Sequence, residues 1–247
     1  MLYIIGLGLN DEKDLSLKAV EALKACDDIY VEFYTNKWHG DINALEKIVK
    51  KSIEVLPREK VESEFLIKLA KNNNIALLVS GDPLSATTHL ELVQMAKLEG
   101  IGVSVIHSSS VYTAVAESGL QLYKFGRTTT LCYPEPGFEP DSPYDTIVEN
   151  RKIGLHSLIL LDVKTDRWMT VKEGLNILLD LENKKNGLIL SLTTKVIACC
   201  KLGGKDQKII YDSVENIIKM DPKEVPACTI VPGKLNFKEE EFLERLT

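Results

Sequence analysis

Val79-Ser80-Gly81-Asp82-Pro83-Leu84-Ser85-Ala86-Thr87-Thr88-His89 follows directly on the apolar run Ile75–Val79 and decides how the chain is organised. Unbroken apolar character over five residues suits a strand buried on both faces of a parallel sheet. The polar stretch after it then lies at the carboxyl edge of that sheet, where ligands of open α/β folds bind. Gly81 permits an unusual φ or a close backbone approach. Asp82 can accept from an amine or hydroxyl, Pro83 stiffens the turn, and Thr87 or Thr88 is placed to cap the next helix. An Asp-Pro turn feeding a capped helix accounts for Asp82 and Thr87. It does not account for so many small polar residues at one strand end.

Working outward, the first half alternates similar apolar runs (Leu2–Ile5, Asp28–Phe33, Ile53–Leu56, Gly102–Ile106) with segments of helical period. In Leu15–Cys26 the residues Leu15, Ala19, Ala22, Leu23 and Cys26 share one face. Ile42–Lys50, Phe65–Ala70 and Leu90–Leu98 read the same way. Alternating β and α predicts a mostly parallel sheet covered by helices. The second half differs. Its predicted strands are Thr128–Tyr133, Leu155–Val163, Lys195–Lys201, Gln207–Tyr211 and Ala227–Val231. Its predicted helices are Tyr144–Arg151, Lys172–Leu181, Val214–Met220 and Glu239–Leu246. A hairpin turn at Gly203-Gly204-Lys205-Asp206 implies a mixed sheet. Pro134–Pro143 carries four prolines and Gly137 and reads as a loop. The expected division is therefore an α/β domain over 1–120 and a second α/β domain with a mixed sheet over 121–247.

Two further strand ends carry candidate chemistry. Ile5-Gly6-Leu7-Gly8-Leu9-Asn10-Asp11 sits where a dinucleotide fingerprint would, but its third glycine is replaced and Asp11, Glu12 and Asp14 crowd the helix start. A pyrophosphate would be repelled there, which speaks against NAD. A tight turn without a ligand is the plain alternative. Ile106-His107-Ser108-Ser109-Ser110-Val111 leads from a strand into a helix, and its serines can cap that helix or meet a carboxylate. The four histidines are scattered and form no metal-binding spacing, so no metal is expected. Hydrolase and P-loop motifs are absent.

The chain has 247 residues, 45% hydrophobic and 27% charged, enough to bury a core without disulfides or metals. A net charge of −6 disfavours nucleic acid, which needs a basic surface. Five cysteines without a C-x-x-C pair read as reduced thiols of a cytoplasmic protein. The apolar run after Met1 is too short for a signal segment or a membrane span, so no membrane association is expected.

Taken together, these stretches resemble the tetrapyrrole methylases. That family opens with a strand, a glycine-rich turn and a helix like Gly6-Leu7-Gly8-Leu9…Leu15-Ser16-Leu17-Lys18-Ala19, and carries a Gly-Asp-Pro turn like Gly81-Asp82-Pro83. Within it the chain resembles the diphthine synthases. The likeness rests on Gly81–His89, Gly119-Leu120-Gln121-Leu122-Tyr123-Lys124-Phe125-Gly126, Gly154-Leu155-His156-Ser157-Leu158 and Leu161-Asp162-Val163-Lys164. Glu32-Phe33-Tyr34-Thr35 and Val231-Pro232-Gly233-Lys234-Leu235 complete it, so it spans nearly the whole chain.

The resemblance implies a two-domain tetrapyrrole-methylase-like fold with a cleft between the domains. It implies a homodimeric N-methyltransferase that takes methyl groups from S-adenosyl-L-methionine and releases S-adenosylhomocysteine. The implied acceptor is the amine of a 3-amino-3-carboxypropyl-histidine on translation elongation factor 2, a step of diphthamide biosynthesis. Donor contacts carried over by motif position are Leu9, Asp82, Ser85, Ser110, Val111, Leu161, Leu202 and Asn236. The last of these is often histidine in the family. Such chemistry needs a neutral amine held in line with the methyl–sulfur bond, not a metal or covalent nucleophile. His107 and Asp82 are candidate bases by location, and the base stays unassigned. Two alternatives stay open: a tetrapyrrole or ribosomal RNA methyltransferase of the same fold, and a non-catalytic module that binds the same donor.

Overall fold

In the first part of the chain β1 (Leu2–Gly6), β2 (Asp28–Val31), β3 (Glu54–Val55), β4 (Ile75–Val79) and β5 (Val103–Ile106) form one sheet in the order β3-β2-β4-β1-β5. Every pairing is parallel, and β1 runs beside β4 from Leu2↔Ile75 to Gly6↔Val79. The structure is a computed structural model and describes residues 1–164 and 167–246. Two compact units divide the chain, Met1–Tyr112 and Thr113–Thr247.

Strand side chains alternate between faces, so β1, β2 and β4 each feed two cores. Leu2, Ile4, Ile75, Leu77 and Val79 pack with α3 (Arg58–Val61), α4 (Phe65–Ala70) and α5 (Leu90–Leu98) through Val61, Leu66, Ala70 and Leu92. Ile5, Ile29, Val31, Ala76 and Leu78 pack on the opposite face with α1 (Leu17–Ala25) and α2 (Ile42–Val49) through Ala19, Leu23, Leu45 and Val49. Each fully buried leucine or isoleucine contributes about 1.5–3 kcal/mol, so the unbroken apolar strands are what the double-sided burial requires. Ser16 and Asp41 cap α1 and α2 with their side chains. At α5 the expected threonine cap is absent. His89 occupies the cap position without a side-chain bond, while the Thr87 hydroxyl donates to the Pro83 carbonyl at 2.6 Å.

Next along the chain, α6 (Val111–Ala114) spans the point of division. In the second unit β6 (Thr129–Leu131), β7 (Ser157–Leu161), β8 (Lys195–Cys200), β9 (Lys208–Ser213) and β10 (Ala227–Val231) form a sheet in the order β6-β7-β10-β8-β9. The β6–β7 pairing is parallel and the other three are antiparallel, the mixed sheet expected from the sequence. The β8–β9 pair is the hairpin read at Gly203-Gly204. Its helices are α7 (Ser142–Lys152), α8 (Val171–Lys185), α9 (Val214–Met220) and α10 (Phe237–Leu243). Tyr144, Ile147, Leu175, Leu178, Val214 and Ile217 cover one face of the sheet over Leu131, Ile159, Leu161, Val196 and Val231. Among the described residues no helix is long and apolar enough to cross a membrane.

Candidate functional site

Three loops meet at the carboxyl ends of the neighbouring strands β4, β1 and β5. Gly8 and Gly81 exchange backbone bonds, with Gly81 N–H donating to Gly8 O at 2.8 Å and Gly8 N–H to Gly81 O at 3.2 Å. A Cβ on Gly6 would lie 2.5 Å from Gly81 O, 2.7 Å from Ser108 Cβ and 3.0 Å from Pro83 Cδ. Only glycine lets the three loops close on one another at that point. Gly8 has φ of +82°, and Asp14 folds beneath it by accepting from Asn10 N–H at 2.7 Å and Asp11 N–H at 3.2 Å. The carboxylates that crowd this helix start therefore shape the turn.

Asp82 ties the second and third loops together. Its Oδ1 accepts from Leu84 N–H at 3.1 Å and the Ser85 hydroxyl at 3.2 Å. Its Oδ2 accepts from Ser108 N–H at 3.2 Å and lies 2.7 Å from His107 Nδ1. Burial pushes the carboxyl pKa up, but the bonds from Leu84, His107 and Ser108 outweigh burial and hold it below the ordinary value. These four partners use the acceptor capacity of a carboxylate, so Asp82 acts chiefly by fixing the loops. Of the expected donor contacts, Leu9, Asp82, Ser85 and Ser110 all fall in these three loops, and Val111 opens the helix after the third. Next to them the Ser80 hydroxyl is buried and has no partner among the described residues. A buried polar atom left without a partner marks a place where a ligand or water completes the bonding.

In the second unit, Leu161 ends β7 and Leu202 lies two residues beyond the end of β8. Both are buried. Because β7 and β8 each run antiparallel to β10, these ends share one edge of the sheet, where β10 begins at Ala227 opposite Cys200. The structure does not bring Asn236 to them. It follows the other end of β10, past Val231, which pairs with Ser157 at the start of β7. There Asn236 is the N-cap of α10: its Oδ1 accepts from Lys238 and Glu239 N–H, and its Nδ2 donates to Gln121 Oε1 at 2.8 Å.

That edge holds a buried polar cluster missed at the level of sequence. Glu239 accepts from Lys124 Nζ, from Gln121 N–H at 3.1 Å, from Asn236 N–H at 2.9 Å and from His156 Nε2 at 3.1 Å. Gly233 N–H donates to His156 Nδ1 at 2.9 Å, which leaves Nε2 as the protonated nitrogen. The stretches Gly119–Gly126 and Gly154–Leu158 thus meet at one carboxylate, and Val231–Leu235 joins them through Gly233 N–H on His156 and Lys234 O on Lys124. The signal for Glu239 lay in the sequence: Asn236-Phe237-Lys238-Glu239 has the spacing of a capping box.

Comparison with known proteins agrees with this architecture. The profile of the Tetrapyrrole (Corrin/Porphyrin) Methylases matches residues 1–218. A diphthine synthase of Methanococcus maripaludis is 43% identical over all of this chain and 98% of its own length. The diphthine synthase of Methanocaldococcus jannaschii is also 43% identical, with the same coverage. A crystal structure of diphthine synthase superposes with a TM-score of 0.91 at 31% identity, covering 100% of this chain and 96% of that one. The Gly-Asp-Pro loop at the edge of a parallel sheet, the mixed second sheet and full-length identity at this level lead to one assignment: the chain is a methyltransferase belonging to the diphthine synthases, within the tetrapyrrole methylases.

Proposed function

We propose that this methyltransferase uses S-adenosyl-L-methionine to methylate the amine of a 3-amino-3-carboxypropyl-histidine on translation elongation factor 2, the step that forms diphthine. The observation that carries the reading is the closure of the loops after β1, β4 and β5 on one another around Gly6. Leu9, Ser85, Ser110 and Val111 are the proposed donor contacts in the first unit, and Asp82 joins the second and third loops by accepting from Leu84, Ser85 and Ser108. Backbone and hydroxyl groups at such a strand edge can bind a zwitterionic amino-acid moiety without a cationic side chain. In the second unit Leu161 and Leu202 are the proposed contacts. The family likeness also supports a homodimer, and the net charge of −6 argues against nucleic acid as acceptor. All five cysteines are free thiols, in keeping with a cytoplasmic enzyme.

The test is transfer of labelled methyl to elongation factor 2 that already carries the aminocarboxypropyl group, with unmodified factor as control. Label on the pre-modified factor alone is the expected result, with mass spectrometry counting the methyls. Donor binding without label on either factor would move the search to tetrapyrroles and ribosomal RNA.

A further inference from the structure

We propose that His107 is the general base that takes the proton from the acceptor amine, with Asp82 as the residue that positions it. The proposal rests on the donor and acceptor reading above.

His107 is the residue immediately after β5, in the third loop of the cluster. Its side chain is 68% exposed, while the Asp82 side chain it meets is only 9% exposed. The contact runs from Nδ1 to Oδ2 at 2.7 Å. Asp82 is ionised and accepts at that oxygen, so the proton of the neutral imidazole resides on Nδ1 and the Nε2 lone pair is left unbonded. A carboxylate behind the ring both fixes this tautomer and stabilises the imidazolium formed when Nε2 gains a proton. The remaining partners of Asp82, Leu84 N–H, Ser85 Oγ and Ser108 N–H, are all in the loops proposed to hold the donor. Base and donor are therefore anchored to the same carboxylate.

The reaction needs such a group. An alkylammonium has no lone pair with which to attack a methyl group. In the proposed step the N–H bond of the ammonium breaks and its proton passes to His107 Nε2. The freed nitrogen lone pair forms the N–C bond, and the C–S bond breaks with its electron pair going to sulfur. The sulfonium becomes a neutral thioether, the product carries the positive charge, and the imidazolium releases its proton to solvent. A second or third transfer to the same nitrogen repeats the sequence, because each methylated ammonium must lose a proton before it can attack. Of the other three histidines, His89 and His156 are enclosed in the cores of their units, and His39 is partly buried beside the first loop, where its backbone N–H donates to Asn10 O at 3.0 Å.

The experiment compares wild type, His107→Ala and His107→Gln in single-turnover methylation of pre-modified elongation factor 2, with donor affinity measured separately by calorimetry. The expected result is a rate about 10²–10⁴-fold lower in both variants, the usual contribution of a positioned base, with donor affinity within about twofold. Added imidazole should restore part of the rate in His107→Ala, whose truncation leaves room for it. A rate within about threefold of wild type, a parallel loss of rate and donor affinity, or no rescue by imidazole would each overturn the assignment. If wild type itself transfers no methyl to the pre-modified factor, the acceptor reading falls and this role falls with it. Transfer by wild type with an unimpaired His107→Ala overturns the base alone.

Discussion

The buried Glu239 carboxylate receives the imidazole N–H of His156 across 3.1 Å, joining the last helix of the second unit to the segment before β7. Burial raises the pKa of Glu239, but the bonds from Lys124, Asn236, Gln121 and His156 outweigh burial and bring it to about 2. Its folded pKa is thus below its ordinary value of 4.5. The contribution to stability is fully present above the unfolded value and is lost as pH falls through the folded one. By linkage it amounts to about 3 kcal/mol. His156, lowered by burial against the opposing pull of Glu239, acts in the same direction, since the unfolded state binds its proton more readily. Acid unfolding should therefore steepen below about pH 5. Glu239→Ala should cost about 3–5 kcal/mol by leaving the Lys124 charge and His156 unpaired. Urea denaturation at neutral and acid pH checks both, and a pH-independent midpoint would remove Glu239 from the account.

Asp82→Asn should be more disruptive than a turn substitution usually is. An amide offers one acceptor oxygen where Asp82 serves two backbone N–H groups, a hydroxyl and an imidazole. At least one partly buried donor is left facing an NH₂ group. The expected cost is about 2–4 kcal/mol in stability, with donor affinity lowered more than about tenfold because the loops loosen. Calorimetric titration of the folded variant with S-adenosyl-L-methionine reads this directly. Unchanged affinity would separate these loops from the donor site.

The central strand β4 is legible because burial on both faces leaves an unbroken apolar run: Ile75–Val79 has the same bounds in sequence and structure. The polar stretches at strand ends were equally visible, since a parallel sheet gathers its loops at one edge. Partner counts were not. Nothing in Gly81-Asp82-Pro83 says that Asp82 is saturated by its own loops, because two of its partners, His107 and Ser108, are 25 and 26 residues away. The cap of α5 was misplaced for a related reason. Thr87 finds a carbonyl acceptor inside its own turn, which leaves His89 at the boundary. Asn236 was placed with Leu161 and Leu202 by motif position, whereas strand direction puts it at the opposite edge of the sheet. Only the pairing pattern, which is non-local, carries that information.

Glu32, just beyond β2, is fully buried, and burial raises its carboxyl to about 6 despite the bonds from Thr35. A folded pKa above the ordinary 4.5 means that the folded state binds this proton more tightly. Stability from this group is thus full below the unfolded value and is lost as pH rises through the folded one, a swing of about 2 kcal/mol. Glu32→Gln removes the titration. Relative to wild type it should gain stability at about pH 8 compared with about pH 5. Thermal melts of the two proteins at both pH values measure the difference. Equal shifts at the two values would mean that Glu32 does not titrate in this range.

Asn236 separates the two edges of the second sheet experimentally. As the N-cap of α10 it satisfies the N–H groups of Lys238 and Glu239, so Asn236→Ala should cost about 1 kcal/mol, the usual loss for a cap. Because it sits beyond Val231 and not at the edge of Leu161 and Leu202, donor affinity should stay within about twofold. Leu202→Asp should behave in the opposite sense. A carboxylate at this buried strand end disturbs the very edge proposed to meet the donor, so affinity should fall more than about tenfold, beyond any change that stability alone explains. Donor titrations of both variants, each first shown to be folded by circular dichroism, decide the matter. A weakened Asn236→Ala beside an unaffected Leu202→Asp would transfer the donor contact to the α10 edge and reverse the assignment.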